Sequence, residues 1–63
     1  MSGYLASPRA RALLADYRRD PASIRGLSGG EKAAVAILAH DTALLDRLGW
    51  PDAATAARHY GWR

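Results

Sequence analysis

The chain has 63 residues, no cysteine and a formal net charge of +3 at pH 7. This length allows one domain with a small core, since such a chain buries only about 60% of its unfolded surface, and the lack of cysteine excludes disulfides and thiolate metal ligands. The longest apolar run, residues 33–39, is far shorter than the ~20 residues of a membrane helix, so we expect one cytoplasmic domain with no membrane partner.

The first predicted element is a helix that begins at Ser7-Pro8. Serine is a favoured N-cap, and proline at the first helical position loses no hydrogen bond that the helix needs. Apolar residues then follow at helical spacing, namely Ala10, Leu13, Leu14 and Tyr17. Residues 1–6 are predicted to be a flexible arm, in which Tyr4 and Leu5 can pack if another element holds them.

A single helical turn is predicted after this helix. Pro21 ends the first helix because its ring does not fit a helix interior. Asp20 can cap one further turn, and Gly26 then closes that turn.

The longest helical pattern runs from Ser28 to Leu48. Ser28 and Glu31 form a capping box, in which each side chain accepts from the other residue's backbone N–H. Apolar residues occupy one side at helical spacing, namely Ala34, Ile37, Leu38, Leu44, Leu45 and Leu48. Gly49 suits the left-handed residue that ends a helix, and Pro51 cannot continue one.

Asp41 interrupts this apolar stripe and allows two interpretations. In the first, one helix spans residues 29–48 and Asp41 is interior, so that Asp41→Ala would be neutral or stabilising. In the second, Asp41 caps a separate helix that begins at Thr42. We expect the single helix.

The last predicted helix runs from Asp52 to Tyr60, and Gly61 ends it. Its middle faces are mostly alanine, so it can approach a neighbour closely while burying little area. No stretch alternates apolar and polar residues as a half-buried strand does. The elements together predict an all-α fold: a small three-helix bundle with an additional short helical turn at residues 22–25.

The string LSGGEKAAVAILA, residues 27–39, resembles the signature motif of ABC-type ATPases, especially in the structural-maintenance-of-chromosomes branch. The resemblance implies that Ser28, Gly29 and Gly30 would contact the γ-phosphate of an ATP held by another subunit, at a helix N-terminus that favours anions. The chain has no GxxxxGK[ST] phosphate loop, and Arg47 stands where that family has a catalytic glutamate. Without the resemblance, the residues of this string are explained by a capping box after a glycine-rich turn. A weak anion site or a mimic of the signature motif is the alternative.

The arginines raise a nucleic-acid alternative. Five of them in the first part of the chain could contact backbone phosphates, namely Arg9, Arg11, Arg18, Arg19 and Arg25. A loose helix-turn-helix pattern covers residues 44–60, but its second helix offers few side chains that read base edges. Richness in Ala, Arg and Gly without Asn, Gln or Phe is also typical of a GC-rich genome, and so of a bacterium or its phage.

Neither catalysis nor metal binding is predicted. The candidate residues are His40, Asp41, Asp46 and His59. Adjacent helical residues such as His40 and Asp41 point about 100° apart, and no HExxH or Cys/His spacing is present. A domain this small offers no sizeable cleft. We therefore expect no enzymatic activity, no cofactor and no bound metal.

We expect the chain to bind another protein or a second copy of itself. Large aromatic residues and flanking arginines often dominate interfaces, and they concentrate near the end of the chain. The predicted partner-binding residues are Trp50, Arg58, Tyr60, Trp62 and Arg63. In the competing interpretation Trp50 and Tyr60 are core residues and Trp62 folds back over the first helix. A DNA-binding protein with backbone phosphate contacts is the alternative function.

Overall fold

The computed structural model describes residues 3–62, and all of the regular secondary structure in that range is helical. Four α-helices follow in order: α1 (Pro8–Arg19), α2 (Gly29–Leu38), α3 (Thr42–Arg47) and α4 (Ala53–Tyr60). Two 3₁₀ segments accompany them, Tyr4–Ala6 and Pro21–Gly26, and no strand occurs among the described residues. The predicted all-α fold is confirmed, with four α-helices instead of three.

The predicted helix starts are confirmed by their capping contacts. The Ser7 hydroxyl accepts a hydrogen bond from the Ala10 N–H at 3.2 Å. Ser28 and Glu31 form both bonds of the capping box, each at 3.2 Å. The Asp52 carboxylate accepts from the backbone N–H three residues later at 2.7 Å. Each cap satisfies a backbone donor that the first turn of a helix otherwise leaves unpaired.

The expectation of one helix over residues 29–48 is wrong, because the helix is interrupted at His40 and Asp41. His40 has a left-handed φ of +53°, and the Asp41 N–H donates to the Ala36 carbonyl at 2.9 Å, which closes α2. The Asp41 carboxylate then accepts from the Leu44 N–H at 3.0 Å and caps α3. Inside a continuous helix the backbone N–H groups near Asp41 would already be bonded, so its carboxylate would have no donor to cap. At this break the carboxylate instead satisfies a free backbone donor at the start of α3.

The central helix of the fold is α2, against which α1, α3 and α4 all pack. Four consecutive α2 residues are fully buried, and only one of them is larger than alanine: Ala33, Ala34, Val35 and Ala36. Consecutive helical residues point in different directions, so burial of all four means that neighbours surround this part of α2. The small side chains allow those neighbours to approach closely.

The largest buried side chains of the main core cluster come from α3. Leu44 and Leu45 are each 3% exposed and cluster with Ala36 and Ala56. Half-buried apolar side chains cover this cluster, namely Tyr17, Ile24, Ile37, Leu48, Trp50 and Ala53. No described helix has the length and apolarity that a membrane crossing requires.

Candidate functional site

Five aromatic side chains are in continuous contact at one surface, which we call the aromatic ladder. Trp62 stacks on Tyr4 with a centroid separation of 5.2 Å, and on Tyr60 at 4.7 Å. Tyr60 then meets the edges of Trp50 at 5.8 Å and His59 at 4.8 Å. The two stacked pairs are nearly parallel, with interplanar angles of 22° and 21°, which is the geometry that aromatic quadrupoles favour when the rings are offset.

A repeated Gly-Trp dipeptide brings the two tryptophans to this surface. At the end of α4 the Trp62 N–H donates to the Ala57 carbonyl at 2.8 Å, and the Gly61 N–H donates to the preceding turn. At the end of α3 the Trp50 N–H donates to the Leu45 carbonyl at 2.9 Å. Both ends are Schellman motifs, with a glycine in the left-handed conformation followed by a residue that turns back onto the helix. The φ values of Gly49 and Gly61 are +90° and +74°.

The aromatic ladder lies against the start of α2, where the chain has its two adjacent glycines. A Cβ atom added to Gly30 would lie 3.4 Å from Cε1 of Tyr60, and one added to Gly29 would lie 3.6 Å from its hydroxyl. The Tyr60 ring therefore packs directly on the helix backbone. A shallow groove beside this contact is lined by Tyr4, Ser28, Gly30, Glu31 and Trp62. The aromatic residues and the LSGGEK string thus share one surface.

The predicted partner-binding residues come together in part. Trp50, Tyr60 and Trp62 are half-buried members of the aromatic ladder, and Trp50 also packs against the core cluster. Arg58 is exposed on α4, while Arg63 lies outside the described residues. Sequence reasoning missed Tyr4 and His59 as members of the ladder. The repeated Gly-Trp dipeptide was the signal for the two tryptophans, and only the fold brings in Tyr4.

The proposed anion-binding residues are engaged with the chain itself. The Ser28 hydroxyl and the Glu31 carboxylate satisfy each other's backbone donors. Arg9 donates to the same carboxylate at 3.0 Å. The bond from the Ser28 N–H, and then that from Arg9, hold the pKa of Glu31 below its ordinary value. The Glu31 carboxylate already lies at this helix start, and Tyr60 covers Gly29 and Gly30. A second anion would therefore gain little favourable interaction with the helix N-terminus.

The five arginines of the nucleic-acid alternative are all exposed, but they are not equally available. Arg9 is paired with Glu31, and Arg19 with Asp16 one turn earlier on α1. The other three form no ion pair with any described acidic residue, namely Arg11, Arg18 and Arg25. In the helix-turn-helix pattern, the exposed α4 side chains are Ala54, Arg58 and His59, and Asp52 caps the helix. This helix therefore carries one arginine for phosphate or base contacts.

A hydrogen bond between two helices fixes the break at Asp41. The Tyr17 hydroxyl on α1 donates to the Asp41 carboxylate at 2.6 Å. This bond, followed by the one from the Leu44 N–H, lowers the pKa of Asp41 from its ordinary value. The same bond is the largest cause that raises the pKa of Tyr17, with burial second. Asp41 is thus a structural carboxylate, and Asp46 and His59 do not join it in a cluster of metal-ligand type within residues 3–62.

No family model, curated protein or solved structure matches this chain.

Proposed function

We propose that this chain is a non-enzymatic helical binding protein that contacts another protein through the aromatic ladder. The observation that carries the proposal is five aromatic rings in continuous contact at the surface, four of them half-buried and His59 exposed. Rigid aromatic side chains supply large contact area at little entropic cost, and tryptophan, tyrosine and arginine dominate interface energetics. Arg58 is exposed on the same helix as Tyr60.

The use of polar side chains near the aromatic ladder supports binding over catalysis. Ser28 and Glu31 line the groove beside the aromatic ladder, and both are engaged in the capping box of α2. A catalytic group must be free to exchange protons with a substrate. The proposal includes that the protein is a bacterial or phage-encoded accessory factor, because it is small and its composition is typical of a GC-rich genome.

The proposed partner is a different protein with an acidic surface. The chain carries a net charge of +3, so two copies repel each other whereas an acidic partner is attracted. Light scattering over a roughly hundredfold concentration range should therefore show a monomer. Self-association that Trp62→Ala abolishes would identify a second copy of the chain as the occupant instead.

Site-specific crosslinking identifies the partner and locates it. A photo-reactive residue at Arg58 should capture one defined protein in host cells, and the same residue at Arg11 should not. Binding of the purified partner should then weaken by about tenfold or more in Trp62→Ala and in Arg58→Ala, with Arg11→Ala as the matched control. If Trp62→Ala loses thermal stability but keeps full affinity, the aromatic ladder is only part of the core.

DNA binding through backbone phosphates is the second candidate function, and three exposed arginines without a described acidic partner favour it: Arg11, Arg18 and Arg25. A gel shift with random duplex at about 50 mM and 200 mM salt tests it, because phosphate contacts weaken steeply over that range. Absence of a shift at the lower salt concentration, or a shift that survives replacement of all three by glutamine, would refute it.

A further inference from the structure

A second groove, separate from the aromatic ladder, opens between α1, the 3₁₀ segment Pro21–Gly26 and α3. Its volume is about 290 Å³. Four of its side chains are wholly or largely apolar and two are arginines: Tyr17, Pro21, Ala22, Ile24, Arg25 and Arg47. We call it the arginine groove. None of its lining residues belongs to the aromatic ladder.

The walls of the arginine groove are held by tertiary contacts. Tyr17 and Ile24 pack against the core cluster. The hydroxyl of Tyr17 donates to Asp41 at 2.6 Å, which ties the start of α3 to α1. Asp20 accepts from the backbone N–H of Ala22 at 3.1 Å and so starts the 3₁₀ segment. The groove is therefore formed before any ligand arrives, which reduces the entropic cost of binding.

The two arginines at the groove form no ion pair with a described residue. Arg25 and Arg47 are exposed, and neither donates a hydrogen bond or forms an ion pair to a described residue. Arg9 and Arg19, by contrast, each have a carboxylate partner. Asp41 interacts electrostatically with Arg47, but the oxygens of its carboxylate accept hydrogen bonds from the Tyr17 hydroxyl and the Leu44 N–H instead. Two guanidinium groups thus line an otherwise largely apolar groove.

We infer that the arginine groove binds an acidic segment of a partner protein, with a carboxylate on Arg25 and Arg47 and a neighbouring apolar side chain against Tyr17 and Ile24. Guanidinium groups bind carboxylates through paired, charge-assisted hydrogen bonds. A peptide supplies a carboxylate and an apolar side chain within a few residues of each other. A nucleic-acid backbone instead favours a longer row of cations, whereas this groove has two.

The probe for the experiment is a short blocked peptide of alternating glutamate and leucine, titrated into ¹⁵N-labelled protein at low ionic strength. We expect weak binding, with a dissociation constant of about 1 mM, and shifts of the resonances of Tyr17, Ile24 and the two groove arginines. Salt at about 0.5 M should weaken it because the contacts are exposed. The same peptide with glutamine for glutamate should bind at least about tenfold more weakly.

Two double variants with the same net charge separate a site from general attraction. Arg25→Gln with Arg47→Gln removes the groove arginines, and Arg11→Gln with Arg18→Gln removes two exposed arginines elsewhere. Each changes the charge from +3 to +1 (+3 − 2). The groove variant should lose about tenfold in affinity, and the control variant should bind as the wild type does. Thermal melting checks that both fold, and the single Arg25→Gln and Arg47→Gln variants serve if the double variant melts early.

Several results would overturn the inference. Equal losses in both double variants would show a net-charge effect, and equal binding of the glutamine peptide would show an apolar contact only. A short DNA duplex or inorganic phosphate that shifts the groove resonances more strongly than the peptide would make this a phosphate site. Binding here is independent of the aromatic ladder, so Trp62→Ala should leave the peptide affinity unchanged even if it abolishes capture of the partner proposed above.

Discussion

Replacing Gly61 by alanine tests the backbone turn that brings Trp62 onto the aromatic ladder. Gly61 has a φ of +74°, and a Cβ added there meets nothing within 4 Å. The expected cost is therefore backbone strain without a steric clash. The left-handed conformation costs a residue with a Cβ about 1–2 kcal/mol, and alanine recovers about 0.4–1 kcal/mol by restricting the unfolded chain. We expect a net loss of about 1 kcal/mol in the free energy of unfolding, or roughly 4–8 °C in Tm.

Gly26 provides the matched control, because a Cβ there also meets nothing within 4 Å and its φ is not in the left-handed region. Gly26→Ala should be neutral or stabilise by up to about 1 kcal/mol. Urea unfolding followed by far-UV circular dichroism measures both, and near-UV circular dichroism follows the stacked rings. Gly61→Asn should restore part of the loss, since asparagine tolerates this conformation. If the alanine variants at positions 26 and 61 prove equally stable, the proposed left-handed cap does not end α4.

Three further predictions concern the caps and the start of α2. Asp41→Ala should lower Tm by about 5 °C or more, and a double-mutant cycle with Tyr17→Phe should show coupling; additive effects would exclude the hydrogen bond between them. Gly30→Ala should raise the free energy of unfolding by about 0.5–1 kcal/mol, because its Cβ would make an ordinary 3.4 Å contact with Tyr60; a clear destabilisation would contradict this packing. The carboxyl pKa values of Asp41 and Asp52 are lowered in the fold, chiefly by the bonds from Tyr17 and from the backbone N–H of the first turn, respectively. The stability that these groups contribute is present above their unfolded-state pKa and is lost as the pH falls through their folded-state pKa. The Tm should therefore fall below about pH 4. Asp52→Asn keeps a capping oxygen that does not titrate, and should reduce this acid sensitivity.

Local chemistry made several helix boundaries predictable from the sequence. Ser7-Pro8 and the Ser28–Glu31 capping box start helices because the side chain and the backbone donor that it satisfies lie within three residues. Gly49 and Gly61 end helices because a left-handed residue is required there and glycine adopts it without strain. These interactions involve neighbours in the chain, so the order of letters is sufficient to predict them.

The break at Asp41 could not be decided in the same way. The local pattern allowed both an interior aspartate and a cap. Tyr17, 24 residues earlier, donates to the carboxylate in the folded chain, and His40 adopts a left-handed φ of +53° that is uncommon for a residue with a side chain. Both features depend on how α1 and α3 pack on α2, and helical periodicity contains no information on that packing.

In the aromatic ladder, too, some features follow from the sequence and others depend on the tertiary structure. The sequence alone determined that two tryptophans follow helix-ending glycines, because that depends only on the backbone of each turn. Whether those tryptophans would meet depended on the placement of α3 and α4 around α2. Tyr4 stacks on Trp62 from 58 positions away, and Tyr60, which contacts both tryptophans, packs on the glycines at the start of α2. Only the tertiary structure decided these contacts, because they join residues that are distant in sequence and rely on the small side chains of α2 for close approach.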